Sequence, residues 1–361
     1  MGSSSSSDNS QADIYRSSNI LATKLFDFLE NNSVYSPLSI AYIMSLIHMG
    51  SVGNTEVQIT SLMSLKNSLD DLMVCSKTFN SDIVQLANLI LVNKNMTLRD
   101  EYLQMVGQLA LVSNEDFSNS NAICHRANQF IKDNTNNLIT DILNTDMVNS
   151  NTVMVLINTI YFKTLWAMPF EKNYTRTEKF NKTAEIQMMT NTKHYSYYED
   201  KFAQIVNLPY LGNEFCMGII LPRENIDVNK CGNHLVANIA YTTQYVEVHL
   251  PKFTHRKNID LIPFMQKMGV TDIFSPLKSQ LDKMTIIGGT YVSTMIHEAV
   301  VIVDEAGTEA AAVTVCVTES CSRRKPKSTV FYANRSFIYY IKHIPTNTLL
   351  FVGDFHGNDF H

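Results

Sequence analysis

The chain has 361 residues, 45% of them hydrophobic, which is ample for a large buried core. Its formal net charge is −5 and its one dense basic cluster falls at residues 323–327, so nucleic acid is not an expected partner. No apolar run approaches the roughly 18 residues of a transmembrane span, and the chain lacks phosphate- or dinucleotide-binding glycine patterns and His/Cys metal spacing, so no cofactor and no metal are expected.

Residues 1–14 are polar and Ser-rich and read as a disordered tail, followed by a single domain over 15–361 without an internal linker or repeat. The tail has no apolar core and does not read as a secretory signal. Cys75, Cys124, Cys216, Cys231, Cys316 and Cys321 show no paired spacing. Both features favour a reducing, cytoplasmic setting, with non-classical release left open. Gly2 with Ser6 formally matches a myristoylation pattern, although a plain Ser-rich tail is the simpler reading. Sequons at Asn31, Asn95, Asn173 and Asn181 read as chance in an Asn- and Thr-rich chain; the one at Asn334 opens a predicted core strand, where a glycan has no room.

Apolar Leu21, Leu25, Phe28 and Leu29 recur at helical spacing and predict an amphipathic helix over 18–30. A second helix is predicted over 122–145 from Ile123, Ala127, Phe130, Ile131, Leu138, Ile142 and Leu143. Cys124 and His125 on it could be imagined with Asp133 as a catalytic set, but adjacent helical residues project about 100° apart and do not face each other. Runs 153–163, 215–222, 246–253, 298–304, 329–343 and 348–355 are rich in Val, Ile, Tyr and Phe and predict strands. Ile344–Asn347 reads as the hairpin turn between the last two, and Gly288–Gly289 as another turn. Helices followed by mostly antiparallel strands indicate an α+β fold.

Residues 305–318 carry the most specific signal. Alternate residues Thr308, Ala310, Ala312, Thr314, Cys316 and Thr318 are all small and uncharged, whereas Glu309 and Glu319 fall in the other set with Ala311. Strand side chains alternate between faces, so one face of this segment can enter a core while the acids stay in water. The polar, basic stretch 319–328, broken by Pro326, reads as an exposed loop. A strand-competent segment running into a cleavable loop implies two states, loop out and loop inserted as an extra strand.

The Glu305–Thr314 segment closely resembles the hinge of the serpin family. Asn158-Thr-Ile-Tyr-Phe-Lys163 with Trp166 and Phe170, Ser36-Pro-Leu-Ser39, Gly53-Asn-Thr55, Leu208-Pro-Tyr210, Ile219-Ile-Leu-Pro222, Leu250-Pro-Lys-Phe253, Tyr291-Val-Ser293, His297-Glu-Ala299, Asn334-Arg-Ser-Phe337 and Leu350-Phe-Val-Gly353 follow in the family's order, over roughly residues 15–355. The resemblance implies an α+β serpin fold of about nine helices on three β-sheets, with an exposed reactive-centre loop near 305–328. It implies no enzyme but a monomeric suicide inhibitor of a serine protease, with the helix near 122–145 lying across the main sheet. The hinge would comprise Glu305, Gly307, Thr308, Glu309, Ala310, Ala311, Ala312 and Thr314; Gly307 would lend backbone freedom, and Thr308 would enter the sheet first.

Trp166, Lys252 and Glu305 resemble the breach, where the loop enters, with Lys252–Glu305 as an ion pair. Ser36, Ser39, Asn158 and His297 resemble the polar shutter beneath the sheet. Thr164 stands where the family usually has Gly, and Asp354 where it has Arg. The usual spacing from Glu305 places cleavage at Cys321–Ser322, whereas counting back from Phe337 points near Arg323. Arg323–Arg324 is chemically the more attractive bond and favours trypsin-like targets; Cys321 would suit a protease preferring smaller residues, or a cysteine protease. The basic stretch read on its own is a solvated loop. The absence of a Lys/Arg-rich helix argues against heparin-type activation. A non-inhibitory serpin with a chaperone, carrier or storage role is the alternative.

Overall fold

A computed structural model describes residues 13–28, 32–63, 69–308 and 327–357. The strand Met154–Phe162 is buried along its whole length, as expected of Val/Ile-rich sequence covered on both faces. It pairs antiparallel with Val84–Asn93, from Val84 against Phe162 to Val92 against Met154, and parallel with Thr294–Val303, from Val155 against Thr294 to Ile160 against Ala299. Phe253–Asp260 lies antiparallel on the far side of Thr294–Val303, and Leu111–Glu115 flanks Val84–Asn93. Beyond Ala299 the two central strands part. A two-residue strand, Gly307–Thr308, fills the opening, with Thr308 paired to both Val303 and Thr164.

The two faces of this sheet are read directly from alternation along its strands. Leu89, Leu91, Val155, Ile157, Ile296 and Val300 pack under the helix Ser120–Asn134 through Ile123, Ala127 and Ile131. Ile90, Val92, Met154, Leu156 and Ile160 point the other way, into the main core. That core includes Pro37–Gly50, a helix that is buried nearly all round, with Ser36 as N-cap and Pro37 in its first turn.

The first predicted helix is observed at Asp13–Phe26, earlier than 18–30. The second stops at Asn134 rather than 145, because Asn136 and Asn137 take left-handed backbone with φ of 49° and 63°. Leu138 is partly buried and Ile142 and Leu143 are buried, but from an irregular segment. The predicted strand 329–343 is two strands, Thr329–Tyr332 and Phe337–His343, and 246–253 falls across Thr242–Pro251 and Phe253–Asp260. Strands Val84–Asn93, Ala184–Glu199 and Ala203–Pro209 had not been predicted. Asn347, with φ of 51°, closes the predicted hairpin turn. The three expected sheets appear as two hydrogen-bonded networks, since the 16-residue strand Ala184–Glu199 serves the remaining two, pairing with Thr242–Pro251 and with Ala203–Pro209.

Candidate functional site

The site begins where the strand Thr294–Val303 ends. Asp304 makes a tight side-chain turn: its Oδ1 accepts the Ala306 and Gly307 N–H groups at 2.8 and 3.1 Å. The same loop is held by a second edge, with Trp166 N donating to Ala306 O and Phe170 N to Glu305 O, each at 2.9 Å. Trp166 stacks on Tyr210 with ring centroids 4.4 Å apart, and its indole N–H donates to Asp304 O at 2.9 Å. Gly307 is needed here for close approach. A Cβ at that position would lie 2.3 Å from Thr164 O, so the ladder to Thr164 and Leu165 forms only around a residue without one.

Thr308, 1% exposed, is hydrogen-bonded through Oγ1 to the buried Tyr210 hydroxyl at 2.6 Å. Next to it, Lys252 Nζ lies 2.8 Å from Glu305 Oε2, and Thr175 donates to Glu305 Oε1 at 2.8 Å. Burial alone would raise the Glu305 pKa, but the bonds from Lys252, from its own backbone and from Thr175 outweigh it and hold the carboxyl below the usual range. Lys252 keeps 38% of its side chain in water against 6% for Glu305, so the pair is half shielded.

The second cluster sits on the parallel seam itself. His297 and Asn158 are direct partners across it. Ser36 N donates to His297 Nε2 at 2.9 Å; a backbone N–H cannot accept, so His297 is neutral and carries its hydrogen on Nδ1, which donates to Asn158 Oδ1 at 2.9 Å. Ser39 Oγ donates to the same oxygen at 2.7 Å, and Asn158 Nδ2 donates to Asn88 Oδ1 at 2.6 Å. The helix starting at Pro37 is thereby tied to both central strands, and Asn88 extends the tie to a third. Asn88 Nδ2 and Thr159 Oγ1 are buried without a partner in this arrangement.

The family model for Serpin (serine protease inhibitor) matches residues 16–357. The chain belongs to the serpin family. An uncharacterized serpin-like protein of Acanthamoeba polyphaga mimivirus is 34% identical over 95% of this chain and 90% of its own length. The horse leukocyte elastase inhibitor is 30% identical over 90% of this chain and 92% of its own length. Among solved structures, native tengpin, a thermophilic serpin, superposes with a TM-score of 0.86 at 25% identity, covering 98% of this chain and 95% of that one. Serpin48 from the insect Tenebrio molitor does so at 0.85 with 24% identity, covering 97% and 99%, and supports the fold alone.

In this serpin Trp166, Lys252 and Glu305 meet at one end of the seam, and Ser36, Ser39, Asn158 and His297 meet midway along it. Glu309, Ala310, Ala311, Ala312, Thr314, Cys321, Ser322, Arg323 and Arg324 lie outside the described residues. Asn88, Thr175 and Asp304 were missed, as was the role of Tyr210. Tyr210 belongs to a recognisable Leu-Pro-Tyr motif, but its partner Thr308 is 98 residues away and no local pattern links them.

The neutral ring of His297 sets a pH dependence. Burial, partly offset by the Asn158 carbonyl, pulls its pKa down to about 3, against about 6.5 in an unfolded chain. The unfolded chain therefore binds more protons between these values. The ring's contribution to stability is complete above pH ~6.5 and falls by about 1.4 kcal/mol per pH unit below it, toward pH ~3. Between pH 7 and 5, denaturant unfolding should lose about 2 kcal/mol through this ring. Burial also lowers the pKa of His48 and His343, so the comparison is with His297→Gln, whose pH slope should be shallower. An equal slope in the variant would dissociate His297 from acid sensitivity.

Proposed function

We propose that this chain is an inhibitory serpin that captures a serine protease as a suicide substrate. The observation that carries this reading is Thr308: a neutral, buried side chain already in a strand position at the mouth of the central seam. The target's serine attacks the loop carbonyl before the scissile bond, the new amine leaves, and an acyl-enzyme joins the two proteins. Cleavage frees the hinge side, and residues after Thr308 follow it between Met154–Phe162 and Thr294–Val303. The tethered protease is dragged along the sheet and distorted before water completes hydrolysis. About a dozen inserted residues, each adding a ladder bond with a net worth of ~1 kcal/mol, supply on the order of 10 kcal/mol. The starting fold is accordingly held by a kinetic barrier. At the breach, the half-shielded Lys252–Glu305 pair steadies the hinge; at the shutter, His297 and Asn158 hold the seam shut and exchange partners as it opens.

Arg323–Arg324 is the favoured bond and trypsin-like enzymes the favoured targets, because an arginine suits a pocket with an acidic floor. The molecule acts as a monomeric single domain over 15–361, in the cytoplasm, with no cofactor and no heparin-type activation. Incubation with a panel of serine and cysteine proteases tests this, with products read by SDS gel and mass spectrometry. The expected result is an SDS-resistant complex with a trypsin-like enzyme and cleavage after Arg323. Cleaved chain without any complex would overturn the inhibitory reading, and cleavage after Cys321 would overturn the target class.

A further inference from the structure

Away from the seam, three side chains with no part in the hinge machinery meet at the end of the second sheet. Ser336 lies in the turn before Phe337–His343, Asp354 lies within Thr348–Phe355, and His356 follows that strand. Ser336 Oγ is 3.1 Å from His356 Nδ1, and His356 Nε2 is 2.8 Å from Asp354 Oδ2. Asp354, one of the departures from the family pattern, is 5% exposed and also accepts the Asn32 and Ser33 N–H groups at 2.9 and 2.8 Å.

The proton order follows from the chemistry of these groups. An ionised carboxylate only accepts, so His356 Nε2 carries the hydrogen. In the neutral ring Nδ1 then has a lone pair, and the Ser336 hydroxyl must be its donor. Asn181 steadies the serine from the other side, with Nδ2 at 3.3 Å from Ser336 Oγ and Oδ1 at 3.2 Å from Ser336 N. A serine hydroxyl is thus aimed at an imidazole that a buried carboxylate orients.

Ser336 and His356 line a cleft of about 300 Å³ together with Asn181, Arg223, Asp227 and Arg335. Arg335 donates to neutral acceptors, Pro222 O at 2.9 Å and Asn334 Oδ1 at 3.4 Å. Arg223 is paired with Glu199, and Asp227 is engaged by the Asn229 N–H at 2.8 Å. Glu224 acts on this half-buried guanidinium only through space; with neutral acceptors alone bonded directly, Arg335 favours a negatively charged guest.

We propose that Ser336, His356 and Asp354 form a second, independent centre that hydrolyses small esters whose acyl part carries a negative charge. Ser336 Oγ bonds to the ester carbonyl carbon while its proton passes to His356 Nδ1. The carbon–alkoxide bond breaks and the departing oxygen takes that proton. Water then repeats the sequence on the acyl-serine, releasing the carboxylic acid and restoring the hydroxyl. Arg335 and the Asn181 amide are among the N–H donors lining the cleft. Asp354 and His356 are two residues apart and Ser336 is 20 residues before His356, a spacing that shows no motif in sequence.

The test treats the intact chain with a fluorophosphonate and locates the adduct by peptide mass spectrometry. Turnover of mono-p-nitrophenyl glutarate and of p-nitrophenyl acetate is followed in parallel. The expected adduct is on Ser336, absent in Ser336→Ala and formed at least ~100-fold more slowly in His356→Gln, the loss of a general base. Charged ester should be preferred over neutral ester, with the preference lost in Arg335→Gln. No adduct on Ser336, or labelling as fast without His356, would overturn the centre; equal use of both esters would overturn the charge preference. Protease capture, which does not use this cleft, should be unchanged in Ser336→Ala.

Discussion

Thr308→Arg is expected to turn the protein from an inhibitor into a substrate. Thr308 is 1% exposed, has a ladder position between Val303 and Thr164, and shares a hydrogen bond with the Tyr210 hydroxyl. A guanidinium cannot be accommodated there without losing several kcal/mol of hydration. Each ~1.4 kcal/mol added to the insertion barrier slows insertion about tenfold relative to hydrolysis of the acyl-enzyme. A cost of roughly 3 kcal/mol therefore shifts the partition more than a hundredfold, and complex should give way to cleaved chain. Thr308→Val keeps the volume and loses the Tyr210 bond in the starting and inserted states alike, so it should lower stability by ~1 kcal/mol while leaving the partition nearly unchanged. Gel densitometry against a titrated protease reads the partition in both variants. An arginine variant with undiminished inhibitory stoichiometry would refute this account of the hinge.

Nicking the loop should raise the melting temperature by on the order of 10–15 °C, the second large effect. Unfolding entropy near 2.1 cal/mol/K per residue makes a chain of this size lose about 0.8 kcal/mol per degree near its midpoint, so ~10 kcal/mol of insertion energy corresponds to that shift. To admit the new strand, the six pairings from Thr294–Val155 to Ala299–Ile160 must open, and His297 must leave Asn158. Calorimetry or circular dichroism before and after limited proteolysis gives the answer. A nicked chain that melts where the intact one does would favour the non-inhibitory alternative.

Much of this machinery was legible in the sequence because it is local. The apolar runs at 215–222 and 348–355, observed as the strands Phe215–Pro222 and Thr348–Phe355, follow from neighbours in the chain. Contacts between distant residues were not. Val84–Asn93 was hidden because Gln85 and Asn88 interrupt its apolar run, and Asn88 is polar because it bonds Asn158, 70 residues away. Ala184–Glu199 mixes Glu, Gln, Asn, Lys and His through a strand whose burial is only intermittent, so no two-residue period announces it. The second helix was drawn too long because apolar spacing continues beyond Asn134, whereas two left-handed asparagines end it. The close packing at Gly307 was not legible, since its neighbour Thr164 O comes near only in three dimensions.

The parity of the central strands has one more effect. Met154–Phe162 and Thr294–Val303 run the same way, a pairing slightly less stable per residue than the opposed kind. Thr308 already runs opposite to Val303, so a ribbon continuing from it would oppose both flanks at once. One mismatched join would become two matched ones, and every member from Val84–Asn93 to Phe253–Asp260 would then alternate in heading.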